Sequence, residues 1–129
     1  MAKTDLTPLQ LSVMRSLWKR KEASVTDVHA DLAGNHNLAP TTVATLLRRL
    51  EERGLVDHRA EGRQYIFRAL VEEERATRSM VTELSERLFG GDVPRLVSHL
   101  LKEHELSPGD LDRIRDMIAD HEAQKEELS

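Results

Sequence analysis

Apolar residues recur every three or four positions from Leu6 to Trp18, with Val13, Met14, Leu17 and Trp18 in one stripe, which predicts a helix over about residues 8–21. Its start is signalled locally. Thr7 can cap the first turn, Pro8 stands at the first helical position, Gln10 completes a capping box, and Leu6 and Leu11 occupy the positions of a hydrophobic staple. Lys19, Arg20 and Lys21 then fall at the negative end of the helix. A short β-compatible bridge, Ala23-Ser24-Val25, comes next, and Thr26 followed by Asp27 reads as the cap of a second helix reaching Leu32 or Ala33. A third helix opens at Pro40, runs through Arg53 and stops at Gly54, which can take the left-handed conformation that closes a helix. Val43, Leu46, Leu47 and Leu50 form its apolar stripe; Thr41, Thr45, Arg48 and Glu52 lie opposite, flanked by Thr42, Ala44 and Arg49.

After Gly54 the period falls towards two. Leu55 to Arg59, a Gly-containing turn at Ala60 to Arg63, and Gln64 to Arg68 read as a β-hairpin. Helix, short strand, two helices and a hairpin is the element order of a winged helix-turn-helix domain. From Val71 the helical period returns. A long helix carries Met80, Val81, Leu84, Leu88 and Phe89 and breaks at Gly90-Gly91; Asp92 caps a shorter one with Val93, Leu96, Val97, Leu100 and Leu101. Leu106, Ser107, Pro108, Asp110 and Leu111 are a second full start signal, for a last helix carrying Leu111, Ile114, Met117 and Ile118 that dissolves into an acidic tail, Glu122 to Ser129. The expected architecture is mainly α: a winged helix-turn-helix of three helices and a hairpin wing at residues 1–69, then a three-helix region at residues 70–129. Three short helices enclose little volume, so their apolar positions Leu84, Leu88, Phe89, Leu96, Val97, Leu100, Leu101, Leu111, Ile114 and Ile118 point to dimerisation.

Charge sharpens this division. The net charge is -4 over 129 residues, but residues 1–69 carry 11 Lys and Arg against 8 Asp and Glu, a net of +3, while residues 70–129 carry 8 against 15, a net of -7. The absence of cysteine excludes a disulfide framework, and no apolar run approaches the ~20 residues of a membrane span, so a cytoplasmic protein without membrane insertion is expected.

The chemistry suggested by the basic part is DNA recognition. A helix entering the major groove needs small residues near its start and a few hydrogen-bonding side chains; Thr41, Thr42, Ala44 and Thr45 supply the first, and Arg48 can reach a guanine edge or a phosphate. Arg49, at the border of the apolar stripe, suits backbone phosphates. The competing explanation for Thr41 and Thr42 is capping of the helix start. Arg59 and Arg63 bracket the hairpin turn, where a wing meets the minor groove or adjacent backbone. His99 and His104 are five apart and miss the spacing of two ligands on one helical face, so no metal or other cofactor is expected. With no Gly-rich phosphate loop and no nucleophile elbow, neither is an enzyme.

Leu6-Thr7, Val13-Met14, Leu17-Trp18, Val25 with Val28, Thr42-Val43, Thr45-Leu46-Leu47, Arg49-Leu50, Gly54-Leu55-Val56 and Tyr65 resemble the penicillinase-repressor (BlaI/MecI-like) family. Leu88-Phe89-Gly90-Gly91, Leu96-Val97 and Leu106-Ser107 are similar to its dimerisation region. The resemblance implies a homodimeric transcriptional repressor binding a dyad-symmetric double-stranded DNA operator, upstream of antibiotic-resistance or cell-stress genes. It also implies a membrane sensor-protease system that triggers cleavage at an Asn-Phe bond in the dimerisation region; the corresponding residues here are His99 and Leu100, a departure from that pair. The C-terminal cysteine cluster of a copper-responsive branch is missing. Two other readings remain open on the residues themselves: a winged-helix regulator sensing a small molecule or metal at the dimer helices, and a protein-interaction module without DNA binding.

Overall fold

The computed structural model describes residues 5–128. In chain order they form α1 (Pro8–Arg20), β1 (Glu22–Ser24), α2 (Val25–Leu32), α3 (Pro40–Glu52), β2 (Val56–Glu61), β3 (Gln64–Ala69), α4 (Glu73–Phe89), α5 (Val93–Glu103) and α6 (Pro108–Leu128). Among the described residues, contacts group those up to Leu84 into one compact unit and those from Ser85 onward into another, so α4 contributes to both.

In the first unit α1 starts as its sequence dictates. The Gln10 amide donates to the Thr7 hydroxyl at 3.1 Å, and the Gln10 side chain accepts from the Thr7 amide at 3.1 Å. Leu6 is buried beneath this cap, as a staple requires. The α2 cap differs from expectation by two residues. Ser24, not Thr26, is the N-cap: the Asp27 amide donates to the Ser24 hydroxyl, and the Ser24 amide donates to the Asp27 carboxylate at 3.0 Å. Asp27 thus closes a capping box from the third helical position, and Ser24 serves as both strand end and cap. Val13, Met14 and Leu17 of α1, Val28 and Leu32 of α2 and Val43, Leu47 and Leu50 of α3 meet in a core floored by Ala23, Val56 and Phe67 of the sheet.

The sheet is antiparallel, in the order β1-β3-β2, with Glu22 opposite Arg68 and His58 opposite Phe67. Its hairpin turn is tighter than expected, a two-residue Gly62-Arg63 corner with Gly62 at φ +63, because β2 continues through Ala60 and Glu61. Gly54 at φ +77 lies between α3 and β2. The first half of α4 is anchored to the same unit. The Trp18 indole N–H donates to the Val71 carbonyl at 2.9 Å, Ala76 is fully buried, and Met80 packs against the core.

In the second unit Gly90 and Gly91, both at positive φ, end α4, and the Gly91 amide returns to the Ser85 carbonyl at 3.1 Å. Asp92 caps α5 through the Arg95 amide, and Ser107 with Asp110 forms the capping box of α6. Residues 122–128, expected as an unstructured tail, instead continue α6 to Leu128. The reason is composition: Glu, Ala, Gln and Lys are good helix formers, and no Gly or Pro interrupts them.

Candidate nucleic-acid interface

Helix α3 is built to show one face. Val43, Leu47 and Leu50 are fully buried and Leu46 packs beside them, which turns Thr41, Thr42, Arg48 and Arg49 outward and leaves Ala44 and Thr45 half-buried at the margin. The threonines do not cap the helix. Ala39 is the N-cap and receives no side-chain bond, while the Thr45 hydroxyl donates back to the Thr41 carbonyl at 3.0 Å. With capping removed as an explanation, Thr41 and Thr42 stand exposed at the start of the helix; the Thr42 and Val43 amides already donate to the Ala39 carbonyl at 3.0 and 3.3 Å, so it is the small side chains that are suited to a base edge there.

The arginines fall into two groups. Among the described residues, the Arg48, Arg49 and Arg63 guanidinium groups have no ion-pair or hydrogen-bond partner; the first two project from α3 and the third from the hairpin corner. Arg59 differs from its expected place beside the turn. It lies within β2, where the sheet register brings it to Glu22 at 2.7 Å and Glu61 at 2.9 Å. Both carboxylates raise its already high pKa. Arg68 of β3 grips Asp57 of β2 in two-pronged fashion at 2.7 and 3.1 Å, holding that carboxyl below its ordinary range.

Behind α3 a further network joins α1 to α2. Arg20 donates twice to Asp31 at 2.7 Å, and the Ser16 hydroxyl donates to the same carboxylate at 2.6 Å. These bonds lower the Asp31 carboxyl to about 2. At the hairpin base, His58 of β2 contacts Glu51 in the last turn of α3 through Nδ1, with its ring centroid 4.5 Å from that of Tyr65 and 5.3 Å from that of Phe67. Neither member of that pair stands out in the sequence, since seven residues and a change of secondary structure separate them.

A three-helix core with an antiparallel wing, a small-residue helix face and unpaired arginines on both helix and wing defines a winged-helix DNA-binding transcriptional regulator. The family model of the penicillinase repressor matches residues 6–120. The chain belongs to the penicillinase repressor family, and it is a DNA-binding transcriptional repressor. The penicillinase repressor of Bacillus licheniformis is 23% identical over 95% of this chain and 96% of its own. The methicillin resistance regulatory protein MecI of Staphylococcus aureus (strain N315) is 21% identical over 88% of this chain and 93% of its own. The solution structure of the DNA-binding domain of the repressor BlaI matches 55% of this chain and 87% of that one, with 27% identity and a TM-score of 0.50. BpsR of Bordetella bronchiseptica shares the fold over 95% of this chain and 83% of its own, at 18% identity and a TM-score of 0.52.

Proposed function

We propose that the protein is a cytoplasmic homodimeric repressor of β-lactam-resistance or cell-stress genes that binds a dyad-symmetric operator, residues 1–69 meeting DNA and residues 70–129 pairing with a second copy. The observation that carries the dimer is the apolar surface of the second unit. Among the described residues from Ser85 onward none is buried, and Leu88 is 67% exposed, Ile118 54%, Leu100 45% and Leu101 44%. A monomer leaving such a face in water forgoes roughly 25 cal/mol for each Å² that a partner would cover. Phe89, Leu96, Leu111 and Ile114, half-exposed, and Val97, 40% exposed, add to the apolar surface of that unit, and Leu84 stands one turn before Leu88 on α4. The names of the relatives support the gene class, since one is a penicillinase repressor and another a methicillin resistance regulator. Among the described residues no helix is long and apolar enough to cross a membrane.

In this reading Thr41, Thr42, Ala44, Thr45 and Arg48 meet base edges in the major groove, and Arg49 and Arg63 meet phosphates. Arg59 braces the wing that carries Arg63. Two copies present two such surfaces, so half-sites lie about one helical turn, or a multiple of it, apart. A membrane sensor-protease system would relieve repression by acting on the second unit. His99 and Leu100 lie within α5, and a cut between them would remove α6 and shorten α5, taking Leu111, Ile114 and Ile118 from the pairing face.

The test is a footprint over the protein's own promoter and flanking genes, combined with sedimentation of the free protein. Two protected half-sites related by a dyad, and a dimer mass, are the expected results. A monomer protecting one isolated half-site overturns the reading.

A further inference from the structure

A repressor that reads one groove with a helix and touches the next stretch of backbone with a wing must hold the two at a fixed angle, because both sets of contacts are made at once. The chain passes from α3 to the wing through Arg53, Gly54 and Leu55, and Gly54 sits at φ +77, a sharp reversal at the base of the wing. β2 is an edge strand: its ladder runs to β3 on one side, and the sheet order gives it no strand on the other. Leu55 and Val56 are buried and fix its root. Beyond them Asp57 is half-buried and the residues from His58 onward are exposed.

The ion pairs on the outer face do not set its angle to α3. Arg59 to Glu22 and Glu61, and Arg68 to Asp57, join strand residues to one another. Among the described side-chain hydrogen bonds, the one joining wing to reading helix is that from the His58 imidazole to the Glu51 carboxylate. It has the features of a set-piece contact. Glu51 lies in the last turn of α3, three residues after Arg48; His58 occupies the first β2 position after Val56 on the same face; and the imidazole is flanked by Tyr65 and Phe67. The side chains of the pair are 33% and 32% exposed, against 53% and 51% for Arg59 and Glu22. A hydrogen bond more sheltered from water meets less competition from solvent and holds its geometry better than an exposed one.

We propose that Glu51 and His58 are positioning residues for operator recognition: their contact sets the angle between helix α3 and the wing, and with it the discrimination of operator from other DNA. The proposal rests on the DNA-binding reading of both elements. The pair touches no DNA itself, so its loss weakens the matched complex without removing a phosphate contact.

The experiment uses the full chain and a duplex that this protein selects from a random-sequence pool, with a scrambled duplex as control. Glu51→Ala, His58→Phe and the double variant are compared with wild type by affinity, salt slope and thermal midpoint. His58→Phe keeps an aromatic ring between Tyr65 and Phe67, and Glu51→Ala places a strong helix former in the last turn of α3, so Glu51→Ala alone decides if His58→Phe fails to fold. Each single variant, and the double, is expected to lose about tenfold in affinity for the selected duplex. Binding to scrambled DNA should change less than twofold and the salt slope not at all. Glu51→Gln, whose amide oxygen still accepts from the imidazole N–H, is expected to keep most of the wild-type affinity. Affinities of Glu51→Ala within twofold of wild type, or single-variant losses that simply add in the double variant, overturn the proposal. A wild-type chain that selects no duplex overturns the DNA-binding reading and this proposal with it.

Discussion

Arginine does two kinds of work in the first unit, and the difference lies in what stands opposite each guanidinium. Arg20, Arg59 and Arg68 each face carboxylates across the fold, at 2.7 Å in their shortest contacts, whereas among the described residues Arg48, Arg49 and Arg63 face none. Arg48→Ala is therefore expected to weaken operator binding by about 1–3 kcal/mol while leaving the dimer intact, measured by gel-shift titration and sedimentation. Arg63→Ala should lower the slope of log affinity against log salt by about one per subunit; Arg59→Ala should leave that slope unchanged, since its charge is already neutralised in the free protein. A separate expectation concerns acid. The Asp31 carboxyl, lowered to about 2 chiefly by its bond from Arg20 and then by that from Ser16, stabilises the fold at pH values above the unfolded carboxylate's ordinary ~3.9. That contribution fades as pH falls from about 4 towards 2, so Asp31→Asn should cost on the order of 1 kcal/mol at pH 7 and progressively less in acid, in denaturant titrations across that range. The exposed face of α3 was legible from the helical period alone. The partners of Arg59 were not, because Glu22 lies 37 residues away and meets it only through the β1-β3-β2 order.

Elements were legible where a start or stop signal coincided with a change of period. The Thr7-Pro8-Gln10 and Ser107-Pro108-Asp110 signals each open a helix where expected, and Gly54 closes α3 where expected. The departures share a cause: where several residues could serve, local sequence does not choose between them. Ser24 and Thr26 are both good caps, and strand pairing of β1 with β3 through Ser24 decided for Ser24. Ala60 and Glu61 could end a strand or enter a turn, and pairing with Tyr65 and Gln64 kept them in β2. Helix α5 illustrates a different limit. Its apolar positions are obvious in the sequence, yet none of them is buried among the described residues, and the cover proposed for them is a second chain. Val97→Asp, placing a charge on that face at a residue 40% exposed in the monomer, is expected to convert dimer to monomer in sedimentation and to lower operator affinity by about 100-fold, with helix content retained by circular dichroism.

The whole chain is electrically divided. Residues 1–69 carry +3 and residues 70–129 carry -7, parts for which different partners are proposed, and the net of -4 describes neither. Within the basic part, Asp27 and Asp31 are tied to Arg20, Glu22 and Glu61 to Arg59, and Asp57 to Arg68, so most of its acidic groups are held in pairs while the α3 arginines keep their field. The two units also differ in how they are stabilised: the first encloses a core of its own, and the second has no buried residue among those described. Dilution below the dimer dissociation range should therefore lower the thermal midpoint of the second unit and leave that of the first unchanged.

The bond from the Trp18 indole to the Val71 carbonyl gives that division an optical signature. Trp18 is the sole tryptophan of the chain, and it stands where α1 meets the segment leading into α4. Its emission reports the anchoring of that segment to the first core, whereas far-ultraviolet ellipticity sums over every helix. Followed together during heating at low concentration, the two signals should part company, ellipticity falling first and the red shift of the indole arriving with collapse of the first core. Coincident curves would mean that the units melt as one.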